Sequence, residues 1–261
     1  MTIEINIVPK FLDAAITPVA KDVGNTLSSI WTIVFGGIDN FAEKTQFKRV
    51  HALNQFKEEV ERSISAIPEE NIVEPPLHIV GPTLEAAKYY FENDELKSMF
   101  ANLIAASINI DTIDKAHPSF VEIIKQLSPL DAKNLKCFQQ TPKLPIAQYN
   151  FVTNTGSTTI CQTNVFLEND ECNNIKLNAT SISNLSRLGL VSISYDYNLI
   201  DLTLYERHLD TPFLQGQKTQ LEIMKLAVNT DNDSIKIEKI DTQKGIVEIT
   251  PFGDNFITIC L

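Results

Sequence analysis

Residues 181–194 read SISNLSRLGLVSIS. With Lys176 just upstream, the stretch spaces Lys176, Asn184 and Arg187 along one short helix. Those side-chain types reach phosphates and base edges, and Ser181, Ser183 and Ser186 add weaker hydroxyl donors. Ile182, Leu185 and Leu188 give the helix an inward face, and Gly189 supplies its C-terminal cap. Val191, Ile193, Tyr195 and Tyr197 then alternate with Ser192, Ser194 and Asp196, the pattern of a half-buried strand. A helix followed at once by such a strand is the order of the reading helix and wing in a winged helix-turn-helix. Charge argues the other way. The chain of 261 residues carries a formal charge of −11, divided as −7 over residues 1–127 and −4 over 128–261. Neither half is a basic body that a phosphate backbone would attract at long range. Asp196 and Asp201, in and after the strand, would repel phosphate.

The remaining chemistry is dispersed. The sequence holds no G-x-S-x-G, H-E-x-x-H, P-loop or G-x-G-x-x-G. His51, His78, His117 and His208 are scattered, and a general base needs a placed partner. His117, before Pro118 at a helix start, suits a capping role. Glu69, Glu70 and Glu74 gather before a proline-rich bend, but adjacent glutamates diverge and a hard cation wants converging oxygens. Cys161 and Cys172 with His208 lack zinc spacing. The four cysteines, Cys137, Cys161, Cys172 and Cys260, form no C-x-x-C pair, and MTIEINIVPK has no apolar run. The expectation is a cytoplasmic protein with reduced thiols, no enzyme, and neither cofactor nor metal. In that setting the sequons at Asn178, Asn184 and Asn232 carry no meaning.

The elements that must position these residues follow from periodicity. A hydrophobic content of 43% suits a globular chain with a sizeable core. Thr17-Pro18 is a helix start, and Val19, Val23, Leu27, Ile30, Trp31, Val34 and Ile38 fall on one stripe until Gly36-Gly37. Phe41, Phe47, Val50, Leu53, Phe56, Val60 and Ile64 line a second helix, which could pair with the first as a hairpin. The uncharged run from 23 to 38 is too short and polar to span a membrane. Core or oligomer packing is its simpler use, and an interfacial anchor through Trp31 and Phe35 is the alternative. Residues 68–82, PEENIVEPPLHIVGP, run extended and pack against the body through Ile72, Val73, Leu77, Ile79 and Val80. Helices resume at Pro82, after the Asn93-Asp94 cap, at Pro118 and at Pro129. Residues 139–175 give no clear pattern, with a loop at 154–159 and a polar insertion at 168–174. Part of 202–228 is helical, with Leu221, Met224, Leu226 and Val228 as burial candidates. Ile235, Ile237 and Ile240 lead into a turn at Thr242-Gln243-Lys244-Gly245, and Ile246, Val247 and Ile249 return, which predicts a hairpin. Thr250-Pro251 starts a closing helix with Phe252, Phe256 and Ile259 inward.

Four quoted stretches together carry a resemblance. They are PEENIVEPPLHIVGPTLEAAKYYFENDELKSMFANLIAASI, HPSFVEIIKQLSPLDAKNL, ISNLSRLGLVSIS and GIVEITPFGDNF. Pro75-Pro76, Gly81-Pro82 and His117-Pro118 punctuate them in order. The chain resembles the Abi-alpha (abortive infection alpha) family of bacterial proteins from about Pro18 to the C-terminus, most weakly at 139–175. The resemblance implies a role in defence against phage and brings no catalytic residue with it.

The sequence therefore predicts an α+β, mostly α protein. Residues 1–127 form a helical region and 128–261 a winged-helix-like domain. Its expected function is non-enzymatic phage defence through contacts with a host or phage protein. A nucleic-acid-binding regulator acting through Lys176, Asn184 and Arg187 is one rival. A membrane-perturbing effector using Trp31 and Phe35 is the other, and the same face could serve a homo-oligomer.

Overall fold

The computed structural model describes residues 9, 11–36, 44–227 and 236–261, without the side chains of 44–47 and 227. The expectations for Ile38, Phe41, Val228, Ile235 and Asn232, and for the Phe47 side chain, lie outside the described residues. The fold is α+β and mostly helical. It divides into two compact units, one of residues 1–132 with 254–261, the other of residues 133–253. The sequence reading had placed 128–132 and 254–261 in the second region. The closing residues join the first unit because Phe256 meets Phe120 edge-on at 5.1 Å and the Cys260 carbonyl accepts a hydrogen bond from Asn102 Nδ2 at 3.2 Å.

The first unit is built from α1 (Pro18–Phe35), α2 (Lys44–Ser65), α3 (Leu77–Ala87), α4 (Asp94–Ser107) and α5 (Ser119–Ile124). Thr17 caps α1 by accepting from the Ala20 amide, and the Glu69 carboxylate accepts from the Ile16 and Thr17 amides at 3.1 Å. Those backbone donors hold the Glu69 carboxyl below its ordinary range. The proline-rich segment does pack on the body, pairing Ile72 with Asn109 as a β-bridge. Helix resumes earlier than expected, at Leu77, with Pro82 inside α3. The lost Pro82 amide removes one hydrogen bond near the helix start, and burial of Ile79, Val80, Leu84 and Ala87 outweighs it.

Trp31 and Phe35 pack in the core, the simpler of the uses expected for this run, and are not at the surface as the interfacial-anchor alternative requires. Trp31 is 1% exposed and Phe35 is fully buried. Trp31 stacks on Phe56 at 5.5 Å and meets Phe11 edge-on at 5.6 Å, and Phe35 reaches Phe91 at 6.4 Å. Burial among three other aromatic rings, Phe11, Phe56 and Phe91, keeps both away from any membrane interface. Among the described residues, no helix is long and apolar enough to cross a membrane.

The second unit carries the sheet. The chain passes through α6 (Pro129–Lys136), β1 (Lys143–Thr153), β2 (Thr158–Val165), α7 (Ile175–Arg187) and β3 (Val191–Ser194). It continues through α8 (Glu206–Leu209), α9 (Pro212–Ala227), β4 (Ile237–Ile249) and α10 (Pro251–Cys260). The strands order β2-β1-β4-β3, each antiparallel to its neighbour. The stretch 139–175, which shows no clear pattern in sequence, holds a β-hairpin whose turn at 154–157 falls in the expected loop. The expected hairpin over 235–249 is one straight strand instead. Thr242 faces Tyr149 and Gly245 faces Ile146 in an unbroken ladder, so Thr242-Gln243-Lys244-Gly245 does not turn. β3 pairs with the last residues of β4, and a long connection separates the two in the chain. Gly245 serves this close approach: a Cβ there would lie 2.5 Å from the Ser194 carbonyl oxygen.

Replacing Trp31 with Ala should cost about 3–5 kcal/mol of stability through the cavity it leaves. Chemical denaturation followed by circular dichroism measures this, since the chain's one tryptophan is lost in the variant.

Candidate functional site

Helix α7 forms as its sequence suggests. Asn174 caps it, accepting from the Lys176 and Leu177 amides at 3.1 Å each. Ile175, Ala179, Ile182 and Leu185 are buried, and Gly189 closes the helix at φ +75°. Lys176, Thr180, Ser183 and Arg187 are exposed at spacings of four, three and four. That spacing keeps them on one stripe, with Lys176 and Arg187 about 16 Å apart along the axis. Asn184 does not stand beside them as an independent donor. Its Oδ1 accepts from Arg187 Nε at 3.1 Å and Nη2 at 2.7 Å. Of the three candidates, the fold brings Asn184 and Arg187 together and leaves Lys176 three turns away.

The sequence missed the residue that ties α7 to the sheet. Asn164, at the end of β2, adopts φ +53°, where few residues other than glycine go. Its Nδ2 donates to Ser183 Oγ at 2.9 Å, its amide donates to the Tyr195 hydroxyl at 2.9 Å, and Tyr195 returns a bond to Oδ1 at 3.0 Å. Asparagine tolerates the left-handed region, and the register shift in the β1–β2 pairing needs such a residue. The node continues along one sheet face. Thr163 Oγ1 donates to Gln148 Oε1 at 3.1 Å, and Gln148 and Asn150 both donate toward Gln243 Oε1. These are neutral amides and hydroxyls. Burial raises the Tyr195 phenol above its ordinary range, so it stays protonated at neutral pH. The alternation of Ala147, Tyr149 and Phe151 with Gln148 and Asn150 was the available signal for this face.

Three of the four thiols and His208 are held in surroundings that suppress their charged forms. Burial, with Glu168 nearby, pushes the Cys137 thiol up to about 11, and burial likewise raises Cys161 and Cys260. Thiols so shifted are poor nucleophiles at neutral pH. Among the described residues, no group of three His, Cys, Asp or Glu could hold a metal ion. His117 Nδ1 accepts from the Ser119 amide at 3.1 Å at the start of α5. His208 is fully buried, and neither ring nitrogen has a hydrogen-bond partner. Burial pulls its pKa down to about 4, against a smaller upward pull from the Val165 backbone, so the ring is neutral near pH 7.

His208 belongs to a strap, residues 195–211, that leaves the sheet after β3. Tyr205 is buried, donating its hydroxyl proton to the Gly245 carbonyl at 2.7 Å and accepting from the Leu199 amide at 2.9 Å. The His208 carbonyl accepts from the Tyr149 hydroxyl at 2.8 Å, and Arg207 pairs with Asp170 at 3.0 Å. The strap is thus pinned from inside while its outer side is apolar. Ile200 is 100% exposed, Tyr197 55%, Leu202 52%, and Leu204 and Leu209 45% each. Five such residues within thirteen positions exceed the scattered singles of an ordinary surface.

This arrangement defines a class: a mostly helical α+β protein with a buried central histidine and one fully buried thiol, Cys260. The family model described as abortive infection alpha matches residues 48–260, and the chain belongs to that family. Membership places it in the setting of abortive infection, a bacterial defence against phage. Comparison with curated proteins and with solved structures finds no match.

Two predictions test the site's construction. Asn164→Ala should cost about 1–3 kcal/mol in chemical denaturation, because it removes the side-chain bonds to Ser183 and Tyr195 and strains φ. Asn164→Gly should recover the backbone part of that loss only. His208 is folded in its neutral form, so its contribution is complete above the unfolded pKa near 6.5 and falls away as pH drops toward 4. The decline should be on the order of 3 kcal/mol, and His208→Phe should flatten it in denaturant titrations between pH 7 and pH 4.

Proposed function

We propose that this protein acts in phage defence by docking a protein partner on the strap at 197–209, with no chemistry of its own. The observation that carries the reading is the outward row of Tyr197, Ile200, Leu202, Leu204 and Leu209 on a backbone pinned by Tyr205 and His208. A preformed apolar surface loses little conformational entropy on binding. The nucleic-acid reading draws less support. Lys176 and Arg187 stand three helical turns apart, Asn184 is engaged by Arg187, and the chain's net charge is −11. The membrane reading loses its anchors, since Trp31 and Phe35 lie in the interior.

The test is a plaque assay with and without the gene, alone and beside its neighbouring genes. The protein should lower plating of at least one phage, and Ile200→Asp with Leu204→Asp should abolish about tenfold or more of that protection. Lys176→Glu with Arg187→Glu should leave it intact. Unchanged plating across a broad panel would remove the reading. Protection lost only in the Lys176 and Arg187 variant would move it to nucleic acid.

A further inference from the structure

We infer that the occupant of the strap is a basic amphipathic segment of a partner protein, with apolar side chains to cover the ridge and Lys or Arg to meet its rim. This rests on the docking reading above. The rim is acidic: Asp196, Asp201, Glu206 and Asp210 alternate with the apolar residues and are all exposed. Asp201 Oδ1 accepts from the Thr203 amide at 3.0 Å and from Thr203 Oγ1 at 2.6 Å, and these donors favour its charged form. Asp210 Oδ1 accepts from the neutral Gln215 amide at 2.7 Å. The one Arg or Lys between 195 and 211, Arg207, is spent on Asp170, outside the strap. Along 195–211 exposed apolar side chains therefore alternate in sequence with exposed carboxylates, and one cation from β4, Lys244, lies over the Tyr205 ring at 5.6 Å.

That pairing discriminates among occupants. A second copy would meet the ridge through a two-fold axis, which sets the same patch against itself and carboxylate against carboxylate. An anionic lipid surface or an acidic protein would be repelled by the rim. A basic segment with an apolar face gains burial and charge complementarity together, in the manner of an amphipathic helix laid on an apolar surface.

The probes are three synthetic peptides titrated against the full chain by fluorescence anisotropy: a Leu–Lys amphipathic helix, its Leu–Glu counterpart, and a Ser–Lys peptide of equal charge. The Leu–Lys peptide should bind at least about tenfold more tightly than either of the others. Ile200→Ser with Leu204→Ser should weaken it about tenfold. Asp196→Asn, Asp201→Asn and Glu206→Gln together should weaken it several-fold and flatten its salt dependence. Glu238→Gln with Asp241→Asn, exposed carboxylates on β4, should change nothing, which separates the ridge from general attraction to an acidic chain. Equal binding of the Leu–Glu peptide, no binding of the Leu–Lys peptide, or indifference to the ridge variants overturns the inference. So does self-association in sedimentation that Ile200→Asp abolishes, or uptake onto anionic phosphatidylserine vesicles. If ridge variants lose protection against phage while the peptides show no preference for charge, docking stands and the basic partner falls. If ridge variants protect fully, both fall.

Discussion

The pairing of β1 with β4 is the constraint on which the second unit depends. Eleven residues of β1 find partners along β4, from Lys143 opposite Glu248 to Thr153 opposite Ile237. An antiparallel ladder of that length satisfies the backbone of both strands and fixes which side chains face each way. Ala147 and Tyr149 go inward to the core with Val165, Ile175 and Leu214. Gln148 and Asn150 go to the other face. β3 adds to the other edge of β4 over its last four residues, Ile246–Ile249, and the strap leaves the sheet there.

Polar groups inside this unit are joined to one another. Asn134 Nδ2 donates to Ser181 Oγ at 2.9 Å, Asn169 Nδ2 donates to Asn134 Oδ1 at 2.6 Å, and Asn178 Nδ2 donates to the Cys172 carbonyl at 2.9 Å. Buried amides cost free energy unless partnered, so this cluster fixes how α6, α7 and the 166–174 connection pack. His208 is the exception. Its ring is sunk without hydrogen bonds, and the Tyr149 and Tyr205 hydroxyls serve the strap's backbone instead. The strap is held by the aromatic body of the ring and by those backbone bonds, which leaves its outer side chains free of structural duty. A surface that does not stabilise the fold is one whose composition another requirement can set.

Much of the helical framework was legible in the sequence. Proline at a first helical turn marked α1, α6 and α10, Asn93 marked α4, and the three-and-four spacing of Val23, Leu27, Trp31 and Val34 marked a buried stripe. Gly189 marked the end of α7 and the start of β3. These signals are local, because capping and periodicity are decided by residues within a turn or two. The family was legible too, since its proline punctuation is written in order along the chain. The site was less so. Lys176, Asn184 and Arg187 do lie on one helix, and the three-residue spacing of Asn184 and Arg187 lets them bond while Lys176 stays three turns away.

Only the tertiary structure decided the rest, because those features depend on residues far apart in the chain. Thr242-Gln243-Lys244-Gly245 has the composition of a turn, and the ladder with β1 overrides it. The uncharged run around Trp31 favoured packing in a core or oligomer with a membrane surface as the alternative, and rings from Phe11, Phe56 and Phe91 place it in the core. Asn164 reads as an ordinary polar residue until Ser183 and Tyr195 close around it. The sequence by itself determined where helices begin, where they end and which family they belong to. Which apolar residues remain on the surface was left to the pairing of strands that lie nearly a hundred positions apart.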